Sequence, residues 1–153
     1  MLTNSNIQIS VTDSGAILLG DDFSCDGRHV DAKYRAQSHL HQDHMQGFER
    51  DKSKDIFLTE GSWELLCAEQ PNFDIPVRIN IYKTPFDEYV ALNGKRFMFK
   101  DNKHMLGSAQ IMLETEEGLH LGYSGDFSWP LDNVISVDQL VVDSTYGNPR
   151  SSQ

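Results

Sequence analysis

The sequence predicts a mixed α/β or α+β sandwich in one domain, and three observations predict it. Short alternating or apolar runs far outnumber helical stretches, and the helical stretches fall between groups of strands. With 153 residues, 39% apolar and 24% charged, the chain can bury one sizeable core. It contains no internal repeat and no low-complexity segment.

The elements follow in order. In "IQISVT" the apolar Ile7, Ile9 and Val11 alternate; Asp13, Ser14 and Gly15 supply a turn, and "AILLG" completes a hairpin. A short extended piece, "FSCD", ends at Asp26, and "YRAQS" leads into His39. "DIFLT" has the composition of a buried strand. After it, Thr59 or Ser62 can cap a helix that carries Trp63, Leu65, Leu66 and Ala68 and stops before Pro71. "VRINIYK" alternates Val77, Ile79 and Ile81. In "YVALNGKRFMF" the pair Asn93-Gly94 predicts a hairpin with a type I′ turn. "AQIMLET", the turn "EEG" and "LHLGYSGD" give another hairpin, its second strand ending at Asp126, and "LVVD" ends at Asp143. Asp26, His39, Asp126 and Asp143 thus all stand at the C-terminal end of a predicted strand. A sheet assembled from such strands can gather these polar ends along one edge.

Composition narrows the function. A net charge of −10 argues against a broad basic face for nucleic acid, although a phosphate site built around metal cations stays open. No stretch approaches the ~18 consecutive apolar residues of a membrane span, and "MLTNSNIQIS" lacks the basic and apolar segments of a secretion signal. The expected location is the cytoplasm. Cys25 and Cys67 lie far apart and form no CxxC pair, so neither a disulfide framework nor a thiolate zinc site is expected, and both read as buried small apolar residues.

The most informative stretch is "QSHLHQDHMQGF", in which His39, His41, Asp43 and His44 crowd into six residues. In extended backbone, side chains two apart point the same way, so His39 and His41 can hold one cation from one side. Asp43 and His44 follow once the chain turns, and can face a second cation nearby. Imidazole nitrogen and carboxylate oxygen suit zinc, or manganese with more oxygen ligands. A polar surface loop would assemble this pattern by chance about once in a thousand chains or less. A single structural metal is the other alternative, but structural zinc normally uses cysteines, and neither is near.

"SHLHQDHMQGF" resembles the His-x-His-x-Asp-His signature of the metallo-β-lactamase superfamily, and "DNKHMLGSAQ", "YSGDFSWP" and "VVDSTYGNP" follow in the order of that family. The last two are similar to the β-CASP branch of nucleases, which includes the endonuclease of messenger RNA 3′-end cleavage and relatives of ribonuclease J. The likeness is greatest to short archaeal and bacterial proteins described as RNA-processing-like or DNA-ligase-associated exonucleases, and it runs from about Ala16 to Pro149. It implies the αββα sandwich of that superfamily. It also implies that His39, His41 and His104 hold one zinc ion, that Asp43 and His44 hold a second, and that Asp126 bridges the two. Asp26 would be the carboxylate that orients a ligand imidazole from behind. Asp143 would be the acidic residue that positions a histidine for protonating the leaving group. Taken alone, His104 would be an ordinary loop histidine, Asp126 a turn residue and Asp143 a cap for the "STYG" turn. His29 and His120 match no position of the signature and are expected to be structural or exposed.

Two neighbouring divalent cations lower the pKa of a shared water and neutralise charge at phosphorus, so the implied reaction is phosphodiester hydrolysis, on RNA or, less favoured, DNA. The resemblance further implies a cap domain after "STYG" and two more histidines, one to complete the second metal and one to partner Asp143. With the chain ending at Gln153, the expectation is the N-terminal part of such a sandwich, residues 1–153, without the cap and with an incomplete second metal site. Two rivals remain at this stage. One is a hydrolase of the same fold acting on a thioester, lactam or other small molecule; the other is a non-catalytic chain that binds metal or a partner protein.

Overall fold

The computed structural model describes residues 6–70 and 80–144. Six strands form a first sheet in sequential order: β1 (Ile9–Val11), β2 (Ile17–Leu19), β3 (Phe23–Cys25), β4 (Tyr34–Ala36), β5 (Asp55–Thr59) and β6 (Ile81–Thr84). The first three are antiparallel, while β3 to β6 run parallel. The second sheet comprises β7 (Val90–Ala91), β8 (Arg96–Asp101), β9 (Ala109–Glu114), β10 (His120–Tyr123) and β11 (Gln139–Val141), in the order β11-β10-β9-β8-β7. All its pairings are antiparallel except β10 with β11.

Strand direction decides where the loops emerge. Parallel strands must be joined by crossovers, so the segments leaving β3 and β4 exit at the same edge of the first sheet. In the second sheet β8, β10 and β11 share one direction, which brings the β8–β9 loop and the segments after β10 and β11 to a common edge. All five candidate segments leave from strand ends of this kind.

Strand alternation divides each sheet into two faces. Leu19, Phe23, Cys25, Ala36 and Phe57 of the first sheet meet Phe97, Phe99, Ile111, Leu113, Leu121 and Tyr123 of the second in one buried cluster. Phe97 is its hub, packing against Phe23, Phe57 and Phe99 at ring-centroid distances of 5.3, 4.8 and 5.3 Å. Burying each such ring stabilises the sandwich by about 1.5–3 kcal/mol. On the outer face of the first sheet, Ile56, Leu58 and Ile81 pack on Leu66 of α1 (Glu60–Glu69) and on Phe48. The outer face of the second sheet is covered, among the described residues, by Ile135 and Val137 over Met98, Met112 and Gly122 rather than by a helix. None of the described helices is long and apolar enough to cross a membrane.

Most predicted elements form, with ends that differ for physical reasons. Thr59 caps α1 by accepting from the Ser62 N–H at 3.2 Å. The strand expected to reach Asp126 stops at Tyr123, because the chain turns at Gly125, where φ is +56°. A Cβ there would lie 2.7 Å from the Ala109 carbonyl oxygen and 3.1 Å from Ser38 Cβ. The β7–β8 turn has Gly94 at φ +75°, but Asn93 is not among the non-glycine residues with positive φ, so the predicted type I′ turn is not adopted. Cys25 is fully buried as expected, while Cys67 is only partly so. Val77, Ile79 and the "TYGNP" segment lie outside the described residues.

Candidate metal centre

The fold brings the predicted site residues from both sheets to one place. His39, His41, Asp43 and His44 follow β4, with a 3-10 turn over Gln42–His44 that brings the His44 ring within 4.1 Å of the His39 ring, centroid to centroid. His104 lies on the β8–β9 loop, and Asp126 follows β10. His39 Nε2 and His41 Nδ1 are 3.1 Å apart, and His41 Nδ1 and His104 Nε2 are 3.3 Å apart. Asp126 Oδ2 lies 3.7 Å from His39 Nε2 and 3.8 Å from His104 Nε2. The other oxygen of Asp126 is 3.4 Å from His44 Nε2, itself 3.6 Å from Asp43 Oδ2.

These spacings test the donor set against a cation. A tetrahedral zinc ion with ligand bonds near 2.1 Å separates its donor atoms by about 3.4 Å. The observed separations, 3.1 to 3.8 Å, bracket that value on both sides of Asp126. His39, His41, His104 and Asp126 could hold one ion; Asp43 and the second Asp126 oxygen flank His44 Nε2 at 3.6 and 3.4 Å as a second, wider donor set. The donors fit zinc in kind as well as in distance. Exposure rises across the cluster from His39, which is sealed, to Asp43, whose side chain is 81% exposed, leaving one side open to solvent.

A third grouping, Asp26 with His39 and His44, also has its donor atoms close together, but its hydrogen bonds give it another role. Asp26 is buried and follows β3 in a left-handed conformation, φ +59°. Its Oδ1 accepts the Ser38 N–H at 2.6 Å, while Oδ2 accepts the Ser38 hydroxyl and the His44 Nδ1–H, the latter at 2.8 Å. Bound in this way, Asp26 aims the Ser38 hydroxyl and the His44 imidazole. Burial, and next the charge of Asp26, push the Tyr123 phenol well above its ordinary value.

These bonds settle the histidine tautomers. Ser38 has one hydroxyl hydrogen, which goes to Asp26, so Ser38 Oγ accepts from His39 Nδ1–H at 2.9 Å. The bare lone pair of His39 is then on Nε2, facing the cluster. Direct donation from Nδ1 to Asp26 points the other nitrogen of His44, Nε2, at Asp126 and Asp43. Burial, and next the charge of His44, push His39 down to about 4, so it is neutral at physiological pH. Burial alone would also lower His44, but the hydrogen bond and charge of Asp26 outweigh it and raise His44 above its ordinary value. Burial holds the Asp126 carboxyl above the usual carboxylate range; His44 opposes this shift and Asp143 adds to it.

Asp143 enters neither donor set. It stands two residues beyond β11, close enough for its charge to act on Asp126, with its backbone N–H donating to Ser124 Oγ at 2.8 Å. His29 and His120 lie away from the cluster, His120 beside Glu114 and Asp138. Sequence reasoning missed Ser38, Tyr123 and Asn102. Asn102 ties the two loops of the second sheet together, accepting from His104 N–H at 3.3 Å and donating to the Ser124 carbonyl at 3.1 Å. The serine directly before His39 was a signal that could have been used, whereas the others act only through long-range approach.

Comparison with solved structures places this architecture. The "HARLDQ motif" metallo-β-lactamase of Cronobacter sakazakii superposes with a TM-score of 0.59 at 17% identity, covering 80% of this chain and 62% of that one. The metallo-β-lactamase SMB-1 bound to 2-mercaptoethanesulfonate gives 0.53 at 16% identity, covering 76% and 61%. The chain has the metallo-β-lactamase fold. No protein-family model matches it. Over 62 residues it is 32% identical to an uncharacterised protein in the lig 3′ region of Acidianus ambivalens, a match covering 39% of this chain and 44% of that protein. The chain therefore spans less than half of that relative and about three fifths of the solved metallo-β-lactamases.

Proposed function

We propose that this chain is part of a zinc-dependent hydrolase of the metallo-β-lactamase fold that cleaves phosphodiesters of RNA, or of DNA. His39, His41 and His104 would hold one ion, Asp43 and His44 the other, with Asp126 between them. The observation that carries this reading is the division of Asp126, one oxygen within 3.8 Å of the first donor set and the other 3.4 Å from His44. Bound there, two zinc ions would supply Lewis acidity toward phosphorus and lower the pKa of a water between them. The chain's own residues do the rest: Asp26 and Ser38 hold the imidazoles in their ligating tautomers, and the exposed flank at His41 and Asp43 admits the substrate. Cations would also give this acidic protein the positive potential that a phosphate chain requires.

The choice of a phosphodiester rests on the sequence resemblance of "GDFSW" and "DSTYG" to β-CASP nucleases. A second reading, hydrolysis of a lactam, thioester or other small molecule, is favoured by the fold likeness to β-lactamases. Assaying the zinc-loaded chain on bis(p-nitrophenyl) phosphate and single-stranded RNA, beside a thioester and a β-lactam, separates them. Phosphodiester turnover lost on Asp126→Ala is expected; turnover of the thioester or lactam alone would replace this reading with the second. Zinc binding without hydrolysis of any of the four would make the 153-residue chain a metal-binding module.

A further inference from the structure

Behind the donor atoms lies a buried polar network that neither the signature nor the metal ligation uses. Arg35, Gln37 and Asp51 are all buried, with exposures of 0%, 0% and 1%. Arg35 Nη1 pairs with Asp51 Oδ2 at 2.9 Å, and the other oxygen of Asp51 pairs with Arg28 Nε at 3.2 Å. Its Nε and Nη2 both donate to Gln37 Oε1, at 3.2 and 3.0 Å. This fixes the orientation of the glutamine amide, because an oxygen must face the fork of donors. The Nε2 of Gln37 is thereby aimed the other way, where its two hydrogens meet the backbone carbonyls of His39 at 2.8 Å and His44 at 2.7 Å. Arg35 also reaches the carbonyls of Gln46 and His44, at 2.8 and 3.4 Å.

The two carbonyls on one amide belong to residues of different donor sets. His39 serves the first set and His44 the second, and the 3-10 turn between them gives the loop few other internal ties: His44 N–H to the His41 carbonyl at 3.0 Å and Met45 N–H to the Gln42 carbonyl at 3.1 Å. We propose that Gln37, locked by Arg35, is a positioning residue for both cation sites, holding the backbone of His39 and His44 at a fixed separation so that both donor sets are preorganised. The inference rests on the reading of the cluster as a metal centre. Its physical basis is that a ligand loop left free to move must be ordered when the cation binds, at a cost to affinity. Partners behind metal ligands typically contribute tenfold to a hundredfold in affinity.

The test is zinc affinity of the 153-residue chain, measured by competition with a chromophoric chelator, alongside thermal unfolding of the zinc-free protein. Gln37→Met removes the acceptor for Arg35 and both donors to the loop. Gln37→Glu keeps the acceptor but turns an oxygen toward the two carbonyls. Each folded variant is expected to bind zinc about tenfold to a hundredfold more weakly. Met98→Ala, on the outer face of the second sheet, serves as a control that lowers stability with no path to the loop, and its zinc affinity is expected to be that of the wild type. Wild-type affinity in either folded glutamine variant overturns the proposal. So does a loss in Met98→Ala equal to theirs, which would make the effect one of general stability, or failure of both glutamine variants to fold. A wild-type chain that binds no zinc would remove the metal centre itself, an outcome distinct from tight binding that ignores Gln37.

Discussion

At the residue scale, the chemistry of the candidate centre depends on which nitrogen of each histidine carries its proton. Asp26 governs two of them at once, His44 directly and His39 through the single hydroxyl hydrogen of Ser38. Asp26→Ala is therefore expected to weaken zinc binding by one to two orders of magnitude. It would also leave the Ser38 and His44 donors unpaired, at about 1–3 kcal/mol each where they are buried. Ser38→Ala removes only the relay to His39, so its loss of affinity should be the smaller of the two; isothermal titration with zinc orders them. The candidate ligands His39, His41, Asp43 and His44 were legible in the sequence because they fall within six residues. Ser38 and Tyr123 were not, since their meaning depends on Asp26 arriving from another strand. A separate check concerns the two thiols. Cys25 is sealed in the inter-sheet core, where burial pushes its thiol well above the ordinary value, while Cys67 on α1 is partly exposed. One thiol per native chain should react with a thiol reagent at pH 8, and peptide mapping should find it at Cys67.

At the scale of elements, the position of His104 depends on how its loop is moored to α1. The Gly107 carbonyl accepts the Thr59 hydroxyl at 2.6 Å and the Ser62 hydroxyl at 3.2 Å, so the residue that caps the helix also holds the loop. The contact is close because Gly61 and Gly107 face each other: a Cβ on Gly107 would lie 2.2 Å from Ser62 N, and its φ is +76°. Gly107→Ala must therefore push the loop from the helix. It is expected to destabilise the protein by about 2–4 kcal/mol and to weaken zinc binding by moving His104. Gly20→Ala, also at positive φ but with open space around it, should cost less and leave zinc binding alone, and urea unfolding with zinc titration distinguishes the two. Strand alternation, the helix cap and all three hairpins were legible because each is written within a few residues. The early end of β10 was not: Gly125 turns because Ala109 and Ser38 crowd it from distant parts of the chain.

At the scale of the molecule, the candidate centre straddles the two sheets. His39, His41, Asp43 and His44 come from the first sheet, His104 and Asp126 from the second, so a bound cation would add a tie between layers already joined by apolar packing around Phe97 and by hydrogen bonds such as Ala109 N–H to the Ser38 carbonyl at 2.8 Å. That packing was predictable as a class from the alternating runs, but the juxtaposition of the loops was not, because it depends on strand order and direction. A ligand that binds only the folded state stabilises it by an amount set by its concentration over Kd, about 2.7 kcal/mol at a hundredfold excess. For a chain of this size each kcal/mol moves Tm by roughly 2–4 °C. Zinc at that excess should therefore raise Tm by roughly 5–10 °C, and a chelator should return it to the starting value. The sandwich geometry makes a sharper demand on single substitutions. Asp126→Ala removes the oxygen donors common to both sets and should abolish most of the shift, whereas His41→Ala leaves Asp43, His44 and Asp126 in place and should keep part of it. Equal shifts in the wild type and Asp126→Ala, read by calorimetry under matched zinc, would mean that the cation binds elsewhere and that the two sheets are not joined through this carboxylate.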